Sequence, residues 1–236
     1  MYAVWKREML AYFLSPIAYV IIGVFMAVAG LFFTTTNLLS QSAEFNATLS
    51  NITFIFILIV PVITMRLLSE ERKNKTDQLL LTAPVSLTRI IMGKYLAALT
   101  VFAITLVFSF VYPLCLAIKG SPAFGEIFAG YVGFFLLGAA LISLGLFMSS
   151  ITENQVTAAI ASFGTILLLW LINSITNSLD SQWLVTVLNW LSVYDRYTEF
   201  TAGLIGLAPI IYYISFSGVF IFLTIRAVEK RRWSEA

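Results

Sequence analysis

The residues of this chain that could do chemistry are concentrated in one stretch, from Arg66 to Lys94. It is the only long charged segment in the sequence, and apolar runs at 52–65 and 95–118 flank it. Its first part carries closely spaced charges of both signs: Arg66, Glu70, Glu71, Arg72, Lys73, Lys75 and Asp77. Mixed charge at this density must lie in water or at a polar surface, so the stretch is predicted to be a loop outside a membrane.

Several kinds of catalytic site are disfavoured by the residue types that are missing. The chain has no histidine, the commonest general base, and Cys115 is its single cysteine, inside an apolar run. Neither a zinc site nor a disulfide framework can be assembled from these residues. Gly93-Lys94 lacks the rest of a G-x-x-x-x-G-K-[ST] loop, so the chain is predicted not to hydrolyse a nucleotide itself and not to be an enzyme.

The second part of the charged stretch has the pattern of a very short helix. Asn74 tolerates the left-handed conformation of a turn, and Thr76-Asp77-Gln78 offers a hydroxyl cap and an acid for the first helical turn. Leu79-Leu80-Leu81 follow, and Pro84 ends the helix because the residue before a proline is pushed out of the α region. A leucine ridge on a charged loop favours docking to a partner. An ordinary solvated connector is the alternative for individual charges such as Lys73 and Arg89.

Composition places this loop in an integral membrane protein. Hydrophobic residues make up 60% of the chain and charged residues 11%, which is outside the range of soluble domains. Six apolar runs are predicted to span the membrane: 17–36, 52–66, 95–118, 127–149, 156–176 and 207–226. The cores of these runs contain no charged residue. A charge there costs about 2.5–3.5 kcal/mol and is usually kept for ion or proton transport, so an ion-coupled transporter is disfavoured.

Two other segments are predicted to lie at the membrane surface. Residues 3–14 form an amphipathic helix whose aromatic residues, including Trp5 and Phe13, would sit among the headgroups and oppose Lys6 and Arg7. Residues 180–206 form short helices on the opposite side, interrupted by charges before they could cross.

The run at 127–149 is small on much of its surface. Its small residues are Gly130, Gly133, Gly138, Ala139, Ala140, Ser143 and Gly145. They permit close backbone contact with a neighbour. That neighbour is a helix of the same subunit, a second copy of the chain, or a substrate path, and the pattern does not choose among the three.

Positive charge predicts the orientation. On one side of a six-span arrangement fall Lys6, Arg7, Arg66, Arg72, Lys73, Lys75, Arg89, Lys94, Arg226, Lys230, Arg231 and Arg232. Only Lys119 and Arg196 fall on the other side. Cytoplasmic loops carry an excess of lysine and arginine, so both termini and the charged loop are predicted to be cytoplasmic.

The charged loop also resembles that of a known family. Glu70-Glu71-Arg72-Lys73, then Thr76-x-x-Leu79-Leu80-x-x-x-Pro84-Val85, and then Ile90-Ile91-x-Gly93-Lys94 are similar to the first cytoplasmic loop of ABC type-2 export permeases, particularly the small bacterial gliding-motility-type members. The segment from Lys6-Arg7-Glu8 to Ser15-Pro16 is similar to the elbow helix of that family. Tyr197-x-x-Phe200-x-x-Gly203 is similar to its extracellular helices. The chain departs from the family at two places. Glycine is frequent in the family where Asn74-Lys75 stand, and an acidic residue is frequent where Gln78 stands.

The resemblance implies an all-α membrane permease in the bacterial cytoplasmic (inner) membrane, with one domain over 1–236. It implies a separate ATP-binding subunit that carries ATP and magnesium, a second permease copy or a similar permease in a homo- or heterodimer, and the lipid bilayer as partners. No cofactor in this chain and no nucleic acid are expected. Loop 67–94 would contain a coupling helix, and the implied ATPase-docking residues are Glu70, Glu71, Arg72, Thr76, Asp77, Leu79, Leu80 and Pro84. By the same resemblance, Trp5, Lys6, Arg7 and Phe13 belong to the elbow helix, and Tyr197, Phe200 and Gly203 to an extracellular gate.

Two other functions fit some of the same sequence features. A membrane-embedded enzyme acting on lipid would need a cluster of acids, histidine or cysteine at one membrane face, and the sequence offers scattered acids such as Asp195 and Glu199. A structural membrane anchor would recruit a cytosolic partner through the same loop.

Overall fold

A computed structural model of the protein describes residues 1–75, 85–176 and 192–234. Within these ranges the regular secondary structure is helical, with no strand. Six described segments are long and apolar enough to cross a membrane: Ile17–Leu39, Phe45–Lys73, Leu87–Ile118, Phe124–Ile151, Gln155–Ile172 and Leu207–Lys230. The predicted all-α polytopic membrane fold is therefore confirmed.

The first third of the chain forms a short helix followed by two spans. Helix α1 is Tyr2–Leu14 and α2 is Ile17–Phe33, which continues into a wider helical turn at Thr34–Leu39. The second span is made of α3 (Phe45–Ile52), a tight turn at Thr53–Ile55 and α4 (Phe56–Thr64). The short helix α5 (Ser69–Lys73) follows.

Helical structure in the first two spans extends into a region that was predicted to be a loop. The sequence predicts that the first span ends at 36 and the second begins at 52, whereas helical structure continues to Leu39 and α3 begins at Phe45. Polar side chains are accommodated there because they bond to nearby backbone: the Thr36 hydroxyl donates to the Phe32 carbonyl at 2.6 Å, and the buried Asn37 amide donates to the Ser42 carbonyl at 2.9 Å. Satisfied hydroxyls and amides can stay helical at the end of a span.

The turn after α5 differs from the sequence expectation by one residue. Lys75, with φ of 55°, adopts the left-handed conformation that was predicted for Asn74. The Asn74 amide still donates to the Glu70 carbonyl at 3.0 Å, so the helical bonding continues through Asn74 and the left-handed residue is the next one.

The third span is one long helix with a single break. Helix α6 (Leu87–Ser109) starts well before the predicted span start at 95, because Ile90 and Ile91 are buried against the other helices. Helix α7 (Val111–Lys119) follows after Phe110. The break falls here because Pro113 has no N–H to donate to the carbonyl of Ser109, four residues earlier.

Helix α8 (Phe124–Ile151) is the centre of the described structure, and α3, α4, α6, α9 (Gln155–Thr176), α10 (Asp195–Thr201) and α11 (Leu207–Ser234) pack on it. Its small residues contact helices of the same chain. A methyl group at Gly138 would collide with the rings of Phe102 and Phe56, and one at Gly145 would collide with Thr64. Of the three neighbours left open by the sequence, the structure places a helix of the same subunit at these two glycines.

Candidate functional site

The charged loop leaves the bundle through a short segment that other helices hold in place. We call Met65–Lys73 the loop root, since it joins the end of α4 to the turn at Asn74 and Lys75. The loop root lies against α1, the first turns of α6 and the end of α8. Contacts on these three sides hold the loop root in place.

On the α6 side, a lysine is buried at the centre of an ion cluster. The side chain of Lys94 is 1% exposed, and its Nζ lies 2.9 Å from Oε1 of Glu8 and 2.9 Å from Oε1 of Glu71. Nζ also donates to the carbonyl of Leu67 at 2.6 Å. The Lys94 ammonium therefore donates hydrogen bonds to Glu8 and Leu67 and forms an ion pair with Glu71.

Arg7 completes this cluster from α1. Its Nη2 lies 2.8 Å from Oε1 of Glu8 and also pairs with Glu71, while about half of its side chain stays exposed. We call Arg7, Glu8, Glu71 and Lys94 the Lys94 cluster. Two cations face two carboxylates, so the charges balance. Removing one partner from a buried ion pair typically costs about 3–5 kcal/mol, because it leaves an uncompensated charge behind.

The electrostatics of Glu8 follow from this arrangement. Burial by itself raises the pKa of the Glu8 carboxyl, but the attraction of Lys94 and the hydrogen bond from Arg7 outweigh it, so the net pKa lies below the ordinary value. The carboxylate is therefore kept ionised in the folded protein. Partial burial by itself lowers the pKa of Arg7, but the same carboxylates together outweigh it, so the net pKa of Arg7 is raised.

A second set of contacts joins the aromatic face of α1 to the loop root and α6. Tyr12 is fully buried and its hydroxyl donates to the Ile63 carbonyl at 2.6 Å, while the guanidinium of Arg66 lies 4.9 Å above its ring. The indole of Trp5 donates to the Thr100 hydroxyl at 3.1 Å. The sequence expectation placed these aromatics among lipid headgroups. In the structure the face of α1 that carries Tyr12 packs against protein, since these partners come from α4 and α6.

The end of α8 holds the third side through weaker contacts. The Ser149 hydroxyl accepts hydrogen bonds from the amides of Leu68 and Ser69, at 3.1 and 3.2 Å. Arg72 donates to the Ile151 carbonyl at 3.1 Å and pairs with Glu153, whose side chain is 65% exposed. Exposed ion pairs usually contribute about 0–1 kcal/mol, so this side is held mainly by neutral hydrogen bonds.

The structure places some of the implied docking residues in the loop root and leaves others outside the described residues. Oε2 of Glu70 lies 3.9 Å from Nε of Arg66, and Glu71 belongs to the Lys94 cluster. Arg72 donates a hydrogen bond to the last residue of α8. The remaining implied docking residues fall within 76–84, outside the described residues: Thr76, Asp77, Leu79, Leu80 and Pro84. The implied elbow residues Trp5, Lys6, Arg7 and Phe13 all lie on α1, with Lys6 exposed.

The implied gate residues meet at the opposite end of α8. Tyr197 and Phe200 are buried on α10, and Phe200 lies directly over Gly133, where a methyl group would collide with it. The Asn46 amide donates to the carbonyls of Glu126 and Thr201, both at 2.9 Å. We call Asn46, Gly133, Tyr197 and Phe200 the α10 cluster. Gly203 follows with φ of +78°, a conformation that favours glycine.

Sequence reasoning missed two residues that organise these sites. The charge pattern places Lys94 among the loop cations, although it lies four residues after Ile90 and three after Ile91 on the buried face of a helix. Glu8 lies three residues after Trp5 and four before Tyr12, on the aromatic face of α1. A charge on an apolar helical face needs a counter-ion, and this was the signal available for both.

A bundle of apolar helices around α8, with the root of a charged loop braced at one end, defines a polytopic membrane protein. Comparison with protein families gives the class a name. The model of the ABC-2 family transporter protein matches residues 32–194, which is more than half of the chain. The chain belongs to this family of membrane transport proteins, and the resemblance noted in the sequence is confirmed. No curated protein matches the chain.

Proposed function

We propose that this chain is the transmembrane permease subunit of an ATP-binding cassette exporter, and that a separate ATP-binding subunit docks on loop 67–94. The observation that carries the proposal is the bracing of the loop root by α1, α6 and α8. A loop that transmits a movement of its partner to the membrane helices must be held rigidly where it joins them. A solvated connector needs no such contacts.

Family membership supports the finer parts of the proposal. The ATP and magnesium would be held by the partner subunit, and two permease chains, identical or similar, would pair in a bacterial cytoplasmic membrane. Both termini and loop 67–94 would face the cytoplasm, in agreement with the distribution of lysine and arginine. Tyr197, Phe200 and Gly203 would then lie at the outer mouth.

Substitution of the leucine ridge tests the docking. Leu80→Asp places a carboxylate at the centre of the proposed contact, where it would be buried without a partner. We expect the wild-type chain, extracted gently from its host, to bring down an ATP-binding subunit in about equal amount with vanadate-sensitive ATPase activity. We expect Leu80→Asp to lose both while eluting as a folded membrane protein.

A matched substitution controls for the new charge itself. Leu204 is 65% exposed in the turn after α10, so Leu204→Asp should leave the partner bound. Normal recovery of the complex from Leu80→Asp would remove the leucine ridge from the proposal. Recovery of the wild-type chain alone would favour the membrane anchor or the lipid-modifying enzyme.

A further inference from the structure

Lys94 reaches several segments of the chain and yet cannot touch a docking partner. With 1% of its side chain exposed, it offers no surface for an intermolecular contact. It sits on α6 and bonds to Glu8 on α1, to Glu71 on α5 and to the Leu67 carbonyl. Any effect of Lys94 on a partner must therefore pass through the position of the loop.

We propose that Lys94 is a positioning residue for the charged loop: it locks the loop root to α1 and α6, so that these three segments shift as one unit when a partner pushes on the loop. The identity of that partner rests on the proposed function. The lock is a property of this chain alone.

The lock follows from how the charges are shared. Lys94 and Arg7 each contact both Glu8 and Glu71, so no arm of the cluster can leave without separating buried opposite charges. The contacts on the α8 side are of another kind. The exposed carboxylate of Glu153 can exchange Arg72 for water with little loss, and the buried hydrogen bonds to the Ser149 hydroxyl join neutral groups, whose separation costs less than that of buried opposite charges. The loop root therefore separates from the end of α8 more easily than from α1 and α6.

Close backbone packing between α1 and α6 also supports the proposal that these two helices and the loop root move together. A Cβ atom at Gly93 would lie 3.0 Å from Cβ of Val4 and 3.1 Å from the carbonyl oxygen of Met1. The two helices thus touch at the residue next to Lys94, with no side chain of α6 between them. This close contact restricts sliding of α1 over α6 and places Glu8 within reach of Lys94.

Two substitutions separate a positioning role from simple charge balance. Within the Lys94 cluster, Lys94→Met leaves two carboxylates and one cation, so we expect the solubilised permease to melt at a lower temperature and the complex to lose ATPase activity. Glu8→Gln with Lys94→Met restores the charge balance of these four positions, because Arg7 and Glu71 remain as a pair. We expect the double variant to recover much of the thermal stability while its vanadate-sensitive ATPase activity stays about tenfold below wild type, a loss typical of broken coupling. Lys230→Met, at an exposed position on α11 and outside loop 67–94, is the control and should change neither.

The outcomes decide the proposal. If the double variant recovers both stability and ATPase activity, Lys94 supplies charge balance only and the positioning role is wrong. If Lys94→Met changes neither quantity, there is no lock. Recovery of stability without activity is the result that a purely structural role would not produce.

Hydrogen–deuterium exchange on the permease alone tests the lock without the ATP-binding subunit. In the double variant we expect faster amide exchange in Met65–Lys73 and in α1, with exchange at the end of α8 unchanged. Unchanged exchange in Met65–Lys73 and α1 would overturn the lock. If exchange changes as expected but the wild-type chain binds no ATP-binding subunit, the proposed function fails and the lock stands.

Discussion

The Lys94 cluster and the α10 cluster perform the same structural task with different forces. Each joins segments that are far apart in the sequence, one around the loop root and the other at the opposite end of α8. The Lys94 cluster uses ion pairs between long side chains, with Lys94 2.9 Å from both Glu8 and Glu71. The α10 cluster uses an amide that bonds to two carbonyls, and a ring packed against bare backbone at Gly133.

This difference indicates how each end responds to change. The strength of the ion pairs in the Lys94 cluster depends on protonation and on charge balance. Their long side chains can adjust to small movements of the helices. The packing of the Phe200 ring against Gly133 depends on the fit of the two surfaces. Closely packed protein interiors do not deform continuously, so there is little room for an added group. The loop end is therefore expected to be sensitive to charge and pH, and the α10 end to added volume.

The largest effect is expected from volume added at the α10 cluster. Gly133→Leu would push a side chain into Phe200, whose Cβ is fixed to its own backbone, so we expect a loss of stability of about 3 kcal/mol or more. The measurement is thermal unfolding of the solubilised protein, followed by size-exclusion chromatography. Gly218→Leu is the matched control, because a Cβ at Gly218 meets no atom within 4 Å. A melting temperature equal to wild type for Gly133→Leu would show that α10 is not tightly packed on α8.

A smaller effect, confined to acid pH, is expected at the Lys94 cluster. The pKa of Glu8 is lowered in the folded protein from an ordinary value of 4.5, so its contribution to stability is present above that value and is lost as pH falls through the folded pKa. We expect the melting temperature to drop in this acid window, and Glu8→Gln to flatten that part of the profile. Gly133→Ala should lower the melting temperature by a similar amount at every pH. An identical acid profile for Glu8→Gln and wild type would show that Glu8 is not held by the cluster.

The smallest effect is expected from removing one hydroxyl of the α10 cluster. The Tyr197 hydroxyl is buried and has no hydrogen-bond partner among the described residues, so Tyr197→Phe should leave stability unchanged or raise it by up to about 1 kcal/mol. Tyr213→Phe is the comparison, because the Tyr213 hydroxyl donates to the Val193 carbonyl at 2.7 Å. Its loss should cost about 1 kcal/mol. Equal destabilisation in thermal unfolding of the two variants would indicate that Tyr197 has a partner after all.

Much of the fold was predictable because it depends on local composition. Six long apolar runs separated by polar segments predict six spans, whatever the helices contact. The starts of the spans were less predictable. Residues 45–51 read as loop because they are polar, yet Asn46 is buried and bonds to Glu126 and Thr201. The two acceptors lie far along the chain, so no local window contains this information.

The sequence by itself determined the membrane class, the six spans, the charged loop and the resemblance to ABC type-2 permeases. Only the tertiary structure decided which charges of that loop region are structural. Lys94 and Lys73 have the same side chain, but the first is buried between Glu8 and Glu71 and the second is exposed. The physical reason is that burying a charge depends on a counter-ion, and both counter-ions of Lys94 come from other helices, one of them near the start of the chain.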